Sequence, residues 1–307
     1  MTKRNVIMLA LGLLAVLAIG LPWLTQRQDW LNLGFLICLN ICLGQSWNIL
    51  GGFTGQHSLG HAAFFGIGAL ITRTAWIAGI PIIVALLLGG VAATLCAMVI
   101  GVPTFRLRGA YFSIGTLAMS EVIHTVVSLA LPLITTLSIE QIASYNLSSR
   151  YYMALGLTVI VVGSTWLILR MPVSLGMLAV REDQEAARAS GVNPLKHKLL
   201  ALAISTFFAG MTGGLFAYHQ VSYYPQAAFS PSWTFDAMLI SFVGGVGTIA
   251  GPVIGALFFV ALRELLSITF VSLNLIVFGT LFITVVLVFP GGLIEIWHKL
   301  RRRKPHV

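Results

Sequence analysis

Apolar runs long enough to cross a bilayer recur along this chain, and that repetition leaves few folds open to it. Hydrocarbon offers no partner for a backbone N–H or C=O, so a spanning segment must be a helix or part of a closed barrel. The runs here are continuous, not alternating, and roughly 17–25 residues long, which is the helical case. They fall at about 5–24, 31–50, 62–79, 81–101, 110–133, 151–170 and 199–219. The region 234–290 is too long for two simple spans and divides into about 234–247, 252–270 and 272–290. The expected fold is all-α: a single transmembrane domain over residues 1–307, a polytopic helical bundle of about ten passes. The eighth and ninth passes have a second reading as a re-entrant pair.

Composition agrees. Charged residues make up 9% of the chain, against roughly 25% in soluble domains, and the mean hydropathy is +0.94. The net charge of +9 does not point to nucleic acid, because its basic residues sit at the ends of apolar runs: Lys3-Arg4, Arg106 to Arg108, Arg170 to Lys198 and Lys299 to Lys304. That is the positive-inside pattern. Ten passes place both termini and the 171–198 loop on the cytoplasmic side, with Arg27, Arg73, Arg150 and Arg263 outside or near the outer ends. The segment 220–233, without Lys or Arg, is expected outside. The last basic run suits anchoring against anionic lipid. Lys3-Arg4 ahead of an apolar run resembles a signal peptide, but the run continues to Pro22-Trp23 and reads as a retained first helix. Cys38, Cys42 and Cys96 lie within apolar runs and read as small buried hydrophobes.

Two glycine-rich interruptions are candidates for chemistry. The first holds Gly51, Gly52, Gln56, His57, Ser58 and His61; the second holds Gly244, Gly245, Gly247 and Gly251. Non-helical backbone at membrane depth survives only when buried in protein or lining a cavity, and transporters build substrate sites at such broken helices. Close helix packing is the competing reading, since Gly247, Gly251 and Gly255, like Gly210 and Gly214, follow a small-xxx-small spacing. The first interruption favours a pore or substrate role because it adds polar side chains. His57 and His61 would share a face if helical, but a metal site needs a third ligand, and neither a metal nor a cofactor is expected. Glu121 and His124 form an intramembrane pair that faces a cavity or a partner, with Arg106 or Arg108 as candidate partners and a proton relay as another use. The chain carries no phosphate-cradling loop, metalloprotease motif or nucleophile elbow. It does not read as an enzyme; any ATP it uses is hydrolysed by another chain.

Between two spans lies the densest mixture of charges, Val180 to Lys198. Asp183 is placed as an N-cap, Glu185 in a first turn, Gly191 at a helix end, and Asn193-Pro194 blocks continuation. Glu185-Ala186-Ala187-x-x-x-Gly191 resembles the EAA signature of ABC-importer permeases, in which a coupling helix docks onto the ATPase subunit. Two alanines would give a flat apolar contact and the glycine a sharp return. The stretch from Gly51 to Ala69 is similar to the N-terminal signature of branched-chain amino-acid ABC permeases. So are Leu107-Arg108-Gly109-x-Tyr111, Arg181-Glu182-Asp183, Gly244-Gly245-x-Gly247 with Gly251-Pro252, and Phe289-Pro290-Gly291-Gly292-Leu293. Leu-Arg-Gly-x-Tyr favours the M-type subunit.

The resemblance implies an inner-membrane permease with several partners: a related second permease, two cytoplasmic ATPases and an extracytoplasmic substrate-binding protein. Thr135 to Ile142 lacks the family's usual glycines, which leaves branched-chain amino acids, other amino acids, urea and short amides open as substrates. A proton-coupled secondary transporter using Glu121 and His124 is the alternative of a different class.

Overall fold

The computed structural model describes residues 27–131, 137, 142–143 and 145–269, with isolated positions at 20, 22, 279–280, 283 and 292–294. Nearly all of the expected first and tenth passes and the basic tail lie outside the described residues. Among the described residues the chain is helical, without a strand. The helices are α1 (Gln28–Thr54), α2 (His61–Ile77), α3 (Ile82–Thr104), α4 (Ala110–Ala130), α5 (Leu147–Arg170), α6 (Pro172–Glu182), α7 (Gln184–Ala189), α8 (Pro194–His219), α9 (Pro225–Ala228), α10 (Ser232–Gly244) and α11 (Ala250–Thr269). Five of them, α1, α3, α4, α5 and α8, are long and apolar enough to cross a membrane.

The bundle is organised around α1 and α8. With 27 residues α1 is about 40 Å long, and it packs against α5, α8, α10 and α11. Helix α8 lies against α1, α2 and α3. Apolar side chains gain nothing by leaving lipid for protein, so such helices associate through close packing. Glycine provides it here. A Cβ on Gly68 of α2 would strike the backbone of Gly210 on α8, and one on Gly213 would strike the carbonyl of Phe65. Gly214 meets Thr72 in the same way. The small-xxx-small reading of Gly210 and Gly214 therefore describes a real three-helix contact. Away from it, exposed Val91, Leu95 and Val99 on α3 and Val159 and Ile160 on α5 form the apolar outer surface.

Two arginines that the charge pattern places near the outer ends are fully buried. Both cap the C-terminal end of α8. Arg73 Nη1 donates to the carbonyls of Ala217 (3.0 Å) and Gln220 (2.8 Å), and Nη2 to that of Val221 (2.9 Å). Arg150 Nε donates to the Tyr218 carbonyl at 2.9 Å, with its guanidinium 3.5 Å above the Tyr145 ring. Terminal helix carbonyls lack intrahelical partners and carry partial negative charge, so a guanidinium is well matched to them.

The segment 220–233, expected on the outer side, is partly packed: Val221 and Tyr224 are exposed, and two aromatic residues are buried. Tyr223 and Phe229 are 2% and 1% exposed, and the Phe229 ring fills the space beside Gly66 of α2. Trp233 stacks on Phe65 with ring centroids 4.6 Å apart. This stretch descends inside the bundle and delivers the chain to α10. The eighth pass is correspondingly not a full helix: α10 has 13 residues, about 20 Å, short of the ~30 Å hydrocarbon core. It pairs antiparallel with α11, since Gly244 faces Gly251, Ile240 faces Gly255 and Asp236 meets Arg263 at 3.3 Å.

Candidate functional site

Within the charged stretch Val180 to Lys198 lies one complete helix, α7, between the end of α6 and the start of α8. Helix α6 begins with Pro172 in its first turn and buries Ser174, Gly176, Met177 and Val180 against its neighbours. The expected 171–198 loop is thus half packed helix. At Asp183 the backbone turns extended (φ −154°, ψ 118°), ending α6 and opening α7. The Asp183 carboxylate accepts from the N–H groups of Glu185 (2.8 Å) and Ala186 (3.0 Å), as an N-cap does. At the other end Gly191 adopts φ +83°, its N–H reaches the Arg188 carbonyl and the Val192 N–H reaches that of Ala187, both at 3.0 Å. This double bond pattern is a Schellman stop, and a left-handed residue there favours glycine. Asn193-Pro194 does more than block continuation: Asn193 caps α8 and Pro194 is its first residue.

Of the motif residues, Glu185, Ala186 and Gly191 are exposed, while Ala187 is 4% exposed. The expected flat contact of two alanines is therefore corrected. Ala186 faces outward and Ala187 seats the helix on the bundle. Glu185 pairs with Arg108 at 3.1 Å and Arg188 at 3.5 Å.

The first interruption is narrower than its glycines suggest. Gly51 and Gly52 are the last turn of α1, and the helix stops only at Gly55 (φ +69°). Residues 55–60 are non-helical, and His61 opens α2. His57 and His61 consequently do not share a helical face. His61 is fully buried, with Nε2 2.7 Å from Ser205 Oγ, and Ser205 Oγ donates to the Ser46 carbonyl at 2.6 Å. Ser58 is buried as well; its carbonyl accepts from Trp47 Nε1 (2.9 Å). Gln56 is half-buried, and His57 is exposed beside Phe242.

The second interruption, residues 245–249, folds directly onto the first. Asn48 of α1 receives the N–H of Gly247 (2.8 Å) on its carbonyl oxygen and donates its amide to the Thr248 carbonyl (2.9 Å). Arg181, at the end of α6, donates to the Gly52 carbonyl at 2.7 Å and fills the space beside both Gly55 and Gly247. Gly244, Gly251 and Gly255 meet backbone of the α10–α11 pair, so that set serves close packing, whereas Gly247 lies at the junction. The starts of α2 and α10 also meet, through Ala62 N–H and Thr234 Oγ1 at 2.7 Å. Both discontinuous segments therefore close on one another inside the bundle, and Arg181 ties them to the helix that leads into α7.

Helix α4 adds a wall. Ser113, Thr116, Ser120, His124 and Ser128 recur at intervals of three or four along one face, with Glu121 and Thr125 at its edge. Ser113 Oγ donates to the His57 carbonyl at 2.7 Å, and Thr116 Oγ1 accepts from Leu59 N–H at 3.0 Å. The start of the polar stripe, Ser113 and Thr116, thus meets the first interruption. Next to it, Phe112 stacks on Phe105 at the end of α3, ring centroids 5.3 Å apart. Glu121 contacts His124 at 3.4 Å and keeps half its side chain exposed, while Arg108 is engaged by Glu185, so the expected pairing of Glu121 with Arg106 or Arg108 is not what forms.

Sequence reasoning does not single out Asn48, Ser205, Thr234 or the full length of the α4 stripe. A polar amide within an apolar span is the available signal for Asn48. Among the described residues no group of three potential metal ligands occurs.

A helical bundle with two discontinuous segments and a short capped helix at one end is the architecture of a membrane transport component. The family model described as the permease component of the branched-chain amino acid transport system matches residues 29–286, and the chain belongs to that family. It is similar to the high-affinity branched-chain amino acid transport system permease protein LivM of Escherichia coli, with 28% identity over 92% of this chain and 73% of that protein. LivM of Salmonella typhimurium is 28% identical over 95% of this chain and 75% of its own length. The probable branched-chain amino acid transport permease protein LivM of Methanocaldococcus jannaschii is 26% identical over 75% and 77%. No solved structure matches.

Proposed function

We propose that this chain is the M-type permease subunit of an ATP-driven importer of branched-chain amino acids in the cell inner membrane. A second, related permease, two cytoplasmic ATPases and an extracytoplasmic binding protein complete it. The observation that carries the reading is Arg181. It sits two residues before the cap of α7 and touches both interruptions, so displacement of α7 is felt where the discontinuous segments meet. Glu185, Ala186, Ala187 and Gly191 form the ATPase-coupling helix: Ala186 and Glu185 present the contact, Ala187 anchors it and Gly191 returns the chain. Substrate passes beside the first interruption, where His57 and Leu59 meet Ser113 and Thr116 of α4 and Gln56 is half-buried. Buried Gly51, Gly52, Ser58 and His61 hold that backbone in place.

The test is reconstitution of the complex with its ATPases. Ala186→Glu should abolish ATPase association in a chain that still inserts. Arg181→Gln should leave association intact and lose leucine uptake. Loss of association in both variants would place Arg181 at the docking surface and refute the linkage. Uptake of urea or short amides in place of leucine would retain the coupling and overturn the substrate. Uptake without any ATPase would overturn the class.

A further inference from the structure

A cavity of about 410 Å³ lies between the end of α3, the α3–α4 connection, α7 and the start of α8. Four cationic side chains line it, Arg106, Arg108, Arg188 and Lys198, and among the described residues no carboxylate does. Glu185, at the rim, is shared between Arg108 and Arg188. Lys198 is 3% exposed, and its ammonium has one neutral partner, Gln184 Oε1 at 2.7 Å, with the Phe105 ring 5.9 Å away. A buried ammonium without a paired anion is costly, so this concentration of positive charge calls for an oxyanion that spans several donors.

We infer that this cavity binds the phosphodiester of an anionic phospholipid from the leaflet on the α7 side. The apolar approach distinguishes a lipid from a free phosphate. Val102 and Leu195 line the same cavity and are 47% and 45% exposed. Above Val102 on α3, exposed Val91, Leu95 and Val99 follow one another at intervals of four residues. This ridge leads along the helix to the pocket, a track for an acyl chain ending where its headgroup charge is wanted. Basic pockets between transmembrane helices recognise anionic headgroups by this combination. The phosphate shares Arg108 and Arg188 with Glu185, so it bears on how firmly α7 is held.

The experiment titrates the full chain, delipidated in neutral detergent, with phosphatidylglycerol, phosphatidylcholine or inorganic phosphate, and counts bound ligand by native mass spectrometry. One phosphatidylglycerol should bind in clear preference to phosphatidylcholine. In the exposed double variant Arg106→Gln with Arg188→Gln, that preference should fall about thirtyfold, at about fivefold for each basic side chain. The basic tail is present in both proteins and cancels from the comparison. An unchanged preference in the variant would overturn the site. Displacement of the lipid by inorganic phosphate alone would overturn the lipid and leave an oxyanion pocket.

Discussion

Replacing Asp183 by alanine should loosen α7 and leave the bundle standing. Helix α7 has six residues, too few to persist unaided. It is held by the Asp183 cap at one end, the Gly191 turn at the other, and the seat of Ala187 between them. The carboxylate takes two N–H groups, at 2.8 and 3.0 Å. Loss of such a cap costs about 1 kcal/mol, within a range of about 0.5–2. Among the described residues the exposed Asp183 side chain has no further contact to multiply that cost. Since about 0.5–2 kcal/mol is a factor of roughly 2–30 in a local equilibrium, about 5 at the central value, the open population of α7 should rise by that factor. Amide hydrogen exchange over residues 185–191 reads it directly, because exchange there follows local opening, and amides of α1 should not change. Asp183→Asn should stay within a few tenths of a kcal/mol of the parent, since an asparagine caps nearly as well. If asparagine loosened the helix as much as alanine does, charge at the helix start and not the cap would be the cause. If neither changed exchange, the cap would be irrelevant to α7.

Other consequences are sharper in stability than in transport. Asn48→Leu removes both hydrogen bonds that hold the second interruption on α1 and strands the half-buried Gly247 N–H and Thr248 C=O. The general cost is about 1–3 kcal/mol for each stranded group, and membrane-embedded bonds measure lower, at about 0.6 kcal/mol on average. A loss of about 2–4 kcal/mol in denaturant unfolding is expected, and a loss below about 1 kcal/mol would refute the junction. Gly213→Leu places a side chain against the Phe65 carbonyl, where backbone cannot yield; no folded chain should be recovered by size-exclusion chromatography, whereas Gly156→Leu, with open space, should fold normally. Arg150→Lys should not rescue the capping of α8, because an ammonium lacks the planar face that lies over Tyr145. Its thermal midpoint should match Arg150→Ala, and recovery to the parent value would refute that account.

The parts of the molecule that are legible in its sequence are those with local causes. Helices, caps and the Gly191 stop follow from neighbouring residues, and Asp183, Asn193 and Gly191 each take the role their chemistry prescribes. The site is different because its bonds join residues nearly 200 positions apart, as Asn48 joins Gly247 and Thr248. Nothing in the apolar run around Asn48 names a partner. Glycine clusters mislead for a related reason. Gly51 and Gly52 look like a broken helix, yet helical geometry is retained because Gly52 packs against Gly247, a neighbour invisible locally. Lack of charge assigns the segment holding Tyr223 and Phe229 to the outer side but says nothing of its packing, and only the space left by Gly66 shows where the Phe229 ring goes.

The pairing of the interruptions bears on how energy reaches the substrate path. One interruption follows a long helix and the other joins two shorter ones, so either alone could shift without moving the rest. They cannot move independently here, since Asn48 holds the backbone of the α10–α11 turn and Arg181 fills the gap between the two. A coupled pair needs one lever, and α6 supplies it: its far end carries Arg181, and Asp183 passes directly into α7. A docking partner that pulls α7 by one helical turn, about 5.4 Å, must either drag the Arg181 guanidinium with it or break its bond to Gly52. Breaking that bond frees the carbonyl of the last turn of α1 beside His57. The same geometry therefore predicts an order of events, with the Arg181–Gly52 bond breaking before the His57–Ser113 contact to α4 does. Crosslinking α6 to α1 should arrest transport while ATP hydrolysis continues, and transport that survived such a crosslink would show that the lever lies elsewhere.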